Sequence, residues 1–135
     1  MNPIAILSLM GEMGARYRES KIHLILDYTM RMCDNGRVLV ISDSQSPVCV
    51  VFYSMTNEPD TFLKKGDYEY KSHDPEGRVA VLEKLVSRKW NKEIRQALES
   101  ELIRKFPNMA YGTWYRYGKV GDRQVTAKVR RLQNV

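Results

Sequence analysis

The stretch RVAVLEKLVSRKWNKEIRQALESELIRKF, residues 78–106, carries the two strongest structural signals of this sequence. Its first part, residues 78–87, is rich in β-branched and apolar residues, which is typical of a strand. Its second part, residues 91–106, places apolar residues on one face at helical spacing and charged residues elsewhere. The apolar positions of that face are Ile94, Leu98 and Leu102. The stretch therefore predicts a strand followed by an amphipathic helix.

Helices and strands are also predicted on both sides of this stretch. Apolar residues at helical spacing predict a helix over residues 4–15, and Ser20 is a suitable cap for a second helix that ends at Cys33. Strands are predicted over residues 37–42 and 48–56, as a hairpin with a loop of about four to six residues. The remaining predictions are a short helix around residues 59–66 and a second hairpin formed by residues 109–120 and 123–132.

This order of elements predicts the fold class. Two helices, three strands, a long helix and two further strands indicate an α/β (α+β) protein with a mixed sheet flanked by helices. The chain has 135 residues and no internal repeat, low-complexity segment or interdomain linker. We therefore expect one domain that spans residues 1–135.

Composition and charge narrow the classes of function. Cys33 and Cys49 lack CxxC spacing and are expected to be buried thiols in a reducing compartment. No signal peptide or membrane-spanning segment is recognisable, so we expect a soluble cytoplasmic protein. The sequence has no P-loop, nucleophile elbow, HExxH motif or paired-carboxylate pattern, and no metal site is expected. The net charge of +6, concentrated after Asn108, indicates either an acidic partner (nucleic acid, an anionic membrane or an acidic protein) or an ordinary solvated surface that keeps the protein soluble.

His23 and Glu83 are the residues of greatest chemical interest. His23 stands among apolar residues, where it is either a structural histidine or a general base that works near neutral pH. Glu83 lies within a predicted strand, and its carboxylate points either to solvent or into a cleft. His73, in the polar segment KSHDPEG, is expected to be exposed and without a role. The residues alone leave these alternatives open.

Several short motifs resemble, in order, those of the RTX toxin-activating lysine acyltransferases, the hemolysin C-like proteins. NPIAILSLMG (2–11) resembles the family's opening Asn-Pro and leucine-rich helix, and ESKIH (19–23) resembles its Ser-Pro-Leu-His motif. RVAVLEKL (78–85) resembles the strand that carries the family's catalytic aspartate. Further similarity lies in RVLVISDSQSPVCVVFYSMTN (37–57), LIRKFPN (102–108) and TWYRYGKV (113–120).

The resemblance implies a GNAT-like fold with a mostly antiparallel sheet, and an acyltransferase activity. Such an enzyme moves a fatty-acyl group from acyl carrier protein to a lysine of a protein substrate. By resemblance, His23 removes a proton from the lysine amine, and Glu83 orients His23 or holds its positive charge. The resemblance further implies no bound cofactor, a homodimer and a cytoplasmic location.

Basic residues of the second half are expected to dock the acidic carrier protein and to raise the rate of encounter. The expected substrate-binding residues are Arg88, Lys89, Lys92 and Arg116.

The chain also departs from the family's motifs. The family's Trp-Ile-Ala-Pro-Phe-Gly after the acid is replaced by KLVSRKWN (84–91), and Lys21 stands in place of the motif's proline. An ungapped count back from Phe106 places Ser87, not Glu83, at the position of the acid. These departures indicate either a distant member, for example one from a phage or mobile element, whose substrate is not an RTX toxin, or a chain that has kept the fold and lost the reaction.

Two other functions remain open. A GNAT-like acetyltransferase would use acetyl-CoA and would hold its pyrophosphate on backbone amides at the start of the 91–106 helix. The preceding stretch SRKWNKE (87–93) lacks the glycines that let a phosphate approach closely. A non-enzymatic module would instead bind nucleic acid or a host protein through the interleaved aromatic and basic residues of 112–131.

Overall fold

The architecture is that of a computed structural model, which describes residues 2–15, 21–61, 68–116 and 123–129. In chain order the elements are α1 (Pro3–Glu12), α2 (Ile22–Asp34), β1 (Val38–Asp43), β2 (Ser46–Thr56), β3 (Val79–Ser87), α3 (Lys92–Lys105), β4 (Tyr111–Arg116) and β5 (Arg123–Lys128). A 3₁₀ turn at Pro59–Thr61 follows β2. The predicted helix over residues 59–66 is therefore reduced to this turn in the described part of the chain.

Two of the helices begin where an asparagine caps them. The side chain of Asn2 accepts a hydrogen bond from the Ile4 amide at 2.9 Å, and that of Asn91 accepts one from the Ile94 amide at 2.9 Å. At the start of α2 the cap position is held by Lys21, which makes no capping hydrogen bond through its side chain. The predicted cap, Ser20, lies outside the described residues.

The described strands form one five-stranded sheet in the order β1-β2-β3-β4-β5. Neighbouring strands are antiparallel except β3 and β4, which are parallel and are connected by α3. Parallel neighbours need such a crossover, because a tight turn only joins antiparallel strands. The prediction of a mixed, mostly antiparallel sheet flanked by helices is confirmed.

The sheet is covered on both faces, and β2 lies between the two cores. Residues 48–56 of this strand are all buried. Val51, Tyr53 and Met55 pack into the core on the α3 face, whereas Val50 and Phe52 pack against α1 and α2 on the other face. The three apolar residues predicted for the buried side of α3 all lie in the first of these cores. No helix among the described residues is long and apolar enough to cross a membrane.

The turn between β1 and β2 is tighter than predicted. It consists of Ser44 and Gln45, whose φ angles are 50° and 70°. Two consecutive positive φ angles are typical of a two-residue hairpin turn, whose twist matches that of the strands. The prediction of a longer loop is wrong. Glycine or asparagine usually marks a two-residue turn in a sequence, and neither is present at these two positions. The second predicted hairpin is confirmed over β4 and β5, and its turn lies outside the described residues.

Candidate functional site

Strands β3 and β4 separate part-way along their length. Their parallel pairing runs for four residue pairs and ends at Leu82 opposite Trp114. Beyond this point β3 continues beside β2 to Ser87, and β4 continues beside β5 to Arg116. Within the described residues, the facing edges of the two strands are therefore not paired with each other beyond Leu82 and Trp114, and we refer to this region as the gap between β3 and β4. Strand edges at such a gap offer peptide N–H and C=O groups to a ligand.

A β-bulge lies at the point of separation. On β2, Phe52 pairs with Lys84 and Tyr53 pairs with Leu82, so Glu83 is an extra residue of β3. A bulge bends the strand that carries it and increases its local twist. Leu82 packs into the core on the α3 face, whereas the Lys84 ammonium lies 4.4 Å from the Tyr68 ring centre, beside the opposite core. The bulge therefore bends β3 where it leaves β4 and takes Glu83 out of the regular ladder.

Glu83 forms a buried ion pair with Arg37, the residue that precedes β1. The Arg37 Nη2 atom lies 3.2 Å from the Glu83 Oε2 atom, and the two side chains are 1% and 5% exposed. Ser54 of β2 donates its hydroxyl to the same carboxylate oxygen and also contacts the guanidinium. Arg37 further donates to the backbone oxygens of Tyr53 (3.2 Å) and Lys71 (2.8 Å). The ion pair is thus hydrogen-bonded on several sides, as a buried charge requires.

The segment that covers this ion pair carries Tyr70 and His73. The Arg37 guanidinium carbon lies 4.9 Å from the centre of the Tyr70 ring. His73 is half-buried, with its ring edge-on to Phe106, and its Nδ1 atom accepts a hydrogen bond from the Met55 amide at 3.4 Å. Burial, and secondarily the charge of Arg37, lowers the pKa of His73 below its ordinary value. The expectation that His73 is exposed is therefore wrong.

An apolar pocket of about 50 Å³ lies on the α3 face of the sheet. Its apolar walls come from β3, α3, β4, β5 and the residues beside them, namely Ala80, Leu82, Trp90, Leu98, Leu102, Met109, Gly112, Trp114, Ala127 and Val129. Charged residues line it as well, namely Arg95, Glu99 and Lys128. Leu82 and Trp114, the last pair before the strands separate, both line this pocket. The separation point therefore has an ion pair close by and an apolar pocket at its side.

The predicted docking residues lie around the loop from β3 to α3. Arg88 is half-exposed and pairs with Glu12 at 3.6 Å, and Lys89 pairs with Asp43. The hydrogen bond and charge of Lys89 hold the pKa of Asp43 below its usual range. Lys92 is the exposed first residue of α3. Exposed pairs of this kind are weak, so an anionic ligand can displace them at little cost.

The structure brings Glu83 to the separation point but does not join it to His23. His23 is exposed in the first turn of α2, and among the described residues no hydrogen bond or ion pair links it to Glu83. Ser87, the alternative position for the acid, donates its hydroxyl to the Val48 carbonyl at 2.9 Å at the end of β3. Arg116 is the last residue of β4, and its side chain lies outside the described part of the structure.

The sequence alone does not identify Arg37 and Ser54 as partners of Glu83. A glutamate in the middle of an apolar strand was the available signal, because a buried carboxylate needs a cation or hydrogen-bond donors. That signal does not identify the partner, since the chain contains 22 lysines and arginines. In the described ranges no cluster of histidine, cysteine, aspartate and glutamate is suited to a metal ion.

Comparison with known proteins supports the fold. No protein-family model matches the chain, and no curated protein matches it in sequence. Among solved structures, the chain is similar to GphF, a GNAT-like decarboxylase in complex with isobutyryl-CoA, with a TM-score of 0.55 and 17% sequence identity. The similarity covers 88% of this chain but only 65% of the length of that one. It shows a GNAT-like fold and does not show membership of the toxin-activating acyltransferases.

We predict that Arg37 and Glu83 are strongly coupled in stability. Arg37→Leu leaves a carboxylate buried without its cation, which costs about 3–5 kcal/mol of unfolding free energy. Arg37→Leu combined with Glu83→Leu should cost clearly less than the sum of the two single changes. Urea unfolding of the four proteins of this cycle measures the coupling. The control is Arg31→Leu, which breaks the exposed pair with Asp27 (56% and 64% exposed) and should cost less than about 1 kcal/mol. Equal costs for Arg37→Leu and Arg31→Leu would contradict the assignment.

We also predict that the protein loses stability as the pH falls through the ordinary titration range of a histidine, because of His73. Its pKa is lower in the folded state than in the unfolded chain, so the unfolded chain binds the extra proton first. His73→Gln should remove this part of the pH dependence. The measurement is the change in urea midpoint between about pH 7.5 and about pH 5.5 in both proteins. An equal change in both would show that His73 does not contribute.

Proposed function

We propose that this chain binds an acyl thioester in the gap between β3 and β4 and transfers the acyl group to an amine. The observation that carries the proposal is the end of the β3–β4 ladder at Leu82 and Trp114, beside the bulge at Glu83. The pantetheine arm shared by coenzyme A and acyl carrier protein is an extended chain with two amides. Such an arm pairs well with strand edges, as an added strand does.

The comparison supports this class of ligand. The GNAT-like decarboxylase that resembles the chain in fold is itself in complex with isobutyryl-CoA, an acyl thioester. The sequence identity is 17%, and this chain spans 65% of the length of the decarboxylase. The similarity in fold therefore supports a thioester as ligand, but it does not support decarboxylation as the reaction. The reaction in our proposal is acyl transfer, as the motifs around His23 suggest.

The donor in our proposal is acyl carrier protein. Arg88 and Lys89 lie in the β3–α3 loop, where acidic groups of a carrier would replace the partners of their exposed ion pairs. Lys92, the exposed first residue of α3, adds a third cation beside them. Arg116 ends β4 at the other side of the gap. A coenzyme A donor would place its phosphates on the same cations, and the loop SRKWN contains no glycine to let them approach the backbone.

His23 is the base in this proposal. It removes a proton from a lysine ammonium of the protein substrate, and the free amine attacks the thioester carbonyl carbon. The new C–N bond forms as the C–S bond breaks, and the departing thiolate takes up a proton. Glu83 contributes to the site by pairing with Arg37 and not with His23. The ion pair between Glu83 and Arg37 holds the bulge at the edge of the gap.

The predicted result is transfer of an acyl group to the amine of N-acetyl-lysine amide, with a faster rate from acyl carrier protein than from coenzyme A. His23→Ala should lower the rate of a single turnover by about 10²–10⁴-fold and leave the melting midpoint nearly unchanged, since the side chain is exposed. Leu24→Ala, an exposed change at the next position of α2, is the control and should transfer like the wild type. Mass spectrometry detects the acylated amine, and the release of free thiol measures the second product, the carrier without its acyl group.

Two outcomes would contradict the proposal. If thioesters of both carriers bind but no amine is acylated, the chain is a thioester-binding protein and the transferase assignment is wrong. If His23→Ala transfers at the wild-type rate, the base is another group.

A further inference from the structure

We propose that the apolar pocket on the α3 face holds the acyl chain of the thioester, and that it selects a short chain of about four carbons. This inference rests on the proposed function, since it places the thioester in the gap between β3 and β4. It adds the class of acyl group that the site accepts.

The position of the pocket connects it to the gap. Leu82 and Trp114 form the last residue pair of the β3–β4 ladder, and both side chains line the pocket. A thioester carbonyl bound just beyond this pair therefore has its alkyl chain beside the mouth of the pocket. Glu83, the next residue of β3, turns instead to Arg37 and Ser54. The charged cluster is thus kept away from the alkyl chain.

The lining of the pocket suits an alkyl chain. Leu98 and Leu102 of α3 are buried in the core below it, and Met109 follows that helix. Trp90, in the β3–α3 loop, is 45% exposed and contributes an aromatic wall at the entrance. Of the three charged residues in the lining, Arg95 and Lys128 are exposed and Glu99 is half-buried. A ligand with an apolar end inside and a polar arm outside matches this arrangement, because apolar surface gains from burial and the arm stays hydrated.

The size of the pocket sets the chain length. Its volume is about 50 Å³. An apolar cavity of about 150 Å³ holds the six carbons of a benzene ring, so this pocket takes about two methylene-sized groups. With the first alkyl carbon at the mouth, these are the two carbons by which a butyryl chain exceeds an acetyl group. Carbons beyond these would extend into solvent and would add little binding. The pocket therefore distinguishes a butyryl chain from an acetyl group but not a hexanoyl chain from an octanoyl chain.

Gly112 provides a way to fill the pocket without disturbing the fold. It lies in β4 and lines the pocket, and its φ is not positive. A Cβ atom added there would meet nothing closer than the Ala80 carbonyl oxygen at 4.0 Å. Valine is a favoured strand residue, so Gly112→Val should keep or raise the melting midpoint. Its three side-chain carbons would occupy the space that the alkyl chain needs.

The test is calorimetric binding of S-acyl-pantetheines with acetyl, butyryl, hexanoyl and octanoyl chains. In the wild type, affinity should rise about fourfold per methylene from acetyl to butyryl and then level off. In Gly112→Val the butyryl and acetyl affinities should differ by less than about twofold. The control, Thr126→Val, changes the adjacent strand β5 at an exposed position outside the pocket and should keep the wild-type series.

The outcomes separate this inference from the proposed function. Acyl transfer with no dependence of affinity on chain length would overturn the pocket assignment and leave the transferase standing. Length-dependent binding that Gly112→Val abolishes, without turnover in any protein, would support the pocket and overturn the transferase. If Gly112→Val melts early, Gly112→Ala is measured instead, and an unchanged series in that variant would overturn the pocket assignment.

Discussion

The buried ion pair between Arg37 and Glu83 is the interaction on which the rest of the site depends. Two opposite charges, 1% and 5% exposed, are held together at 3.2 Å between the start of β1 and the bulge of β3. Ser54 joins them from β2, so the pair connects three consecutive strands of the sheet. Removing either charge leaves the other one buried and uncompensated, which is far more costly than losing a surface pair.

The ion pair and the bulge together explain why the two faces of the sheet differ beside the gap. At Glu83 the strand β3 bends, and beyond Leu82 it no longer pairs with β4. On one side lie a guanidinium, a carboxylate and the Tyr70 ring. On the other side lies an apolar pocket with a tryptophan at its entrance. In our proposal the apolar chain of the thioester enters this pocket, and the strand edges of the gap pair with its polar arm. The buried ion pair holds the bulge beside them.

Much of the fold follows from local sequence signals, and the site depends on contacts that such signals do not contain. The helical spacing of Ile94, Leu98 and Leu102 predicts α3 because these residues have to share one buried face. The consecutive polar residues Glu83 and Lys84 within an apolar strand are compatible with a bulge, but also with an ordinary amphipathic strand. Only the pairing with β2 distinguishes the two. The partner of Glu83 precedes β1, 46 positions away along the chain, whereas the resemblance to a known family implies His23 as the partner.

The most direct test of the central claim, a thioester site at the separation of β3 and β4, uses the two tryptophans of the chain, Trp90 and Trp114. Both line the pocket, so their indole N–H signals in an amide-correlation NMR spectrum report on it without any mutation. Titration with S-butyryl-pantetheine should shift both indole signals and the backbone amides beyond Leu82 with a single saturating curve. Unshifted indole signals and unshifted β3 amides at saturating thioester would contradict the account.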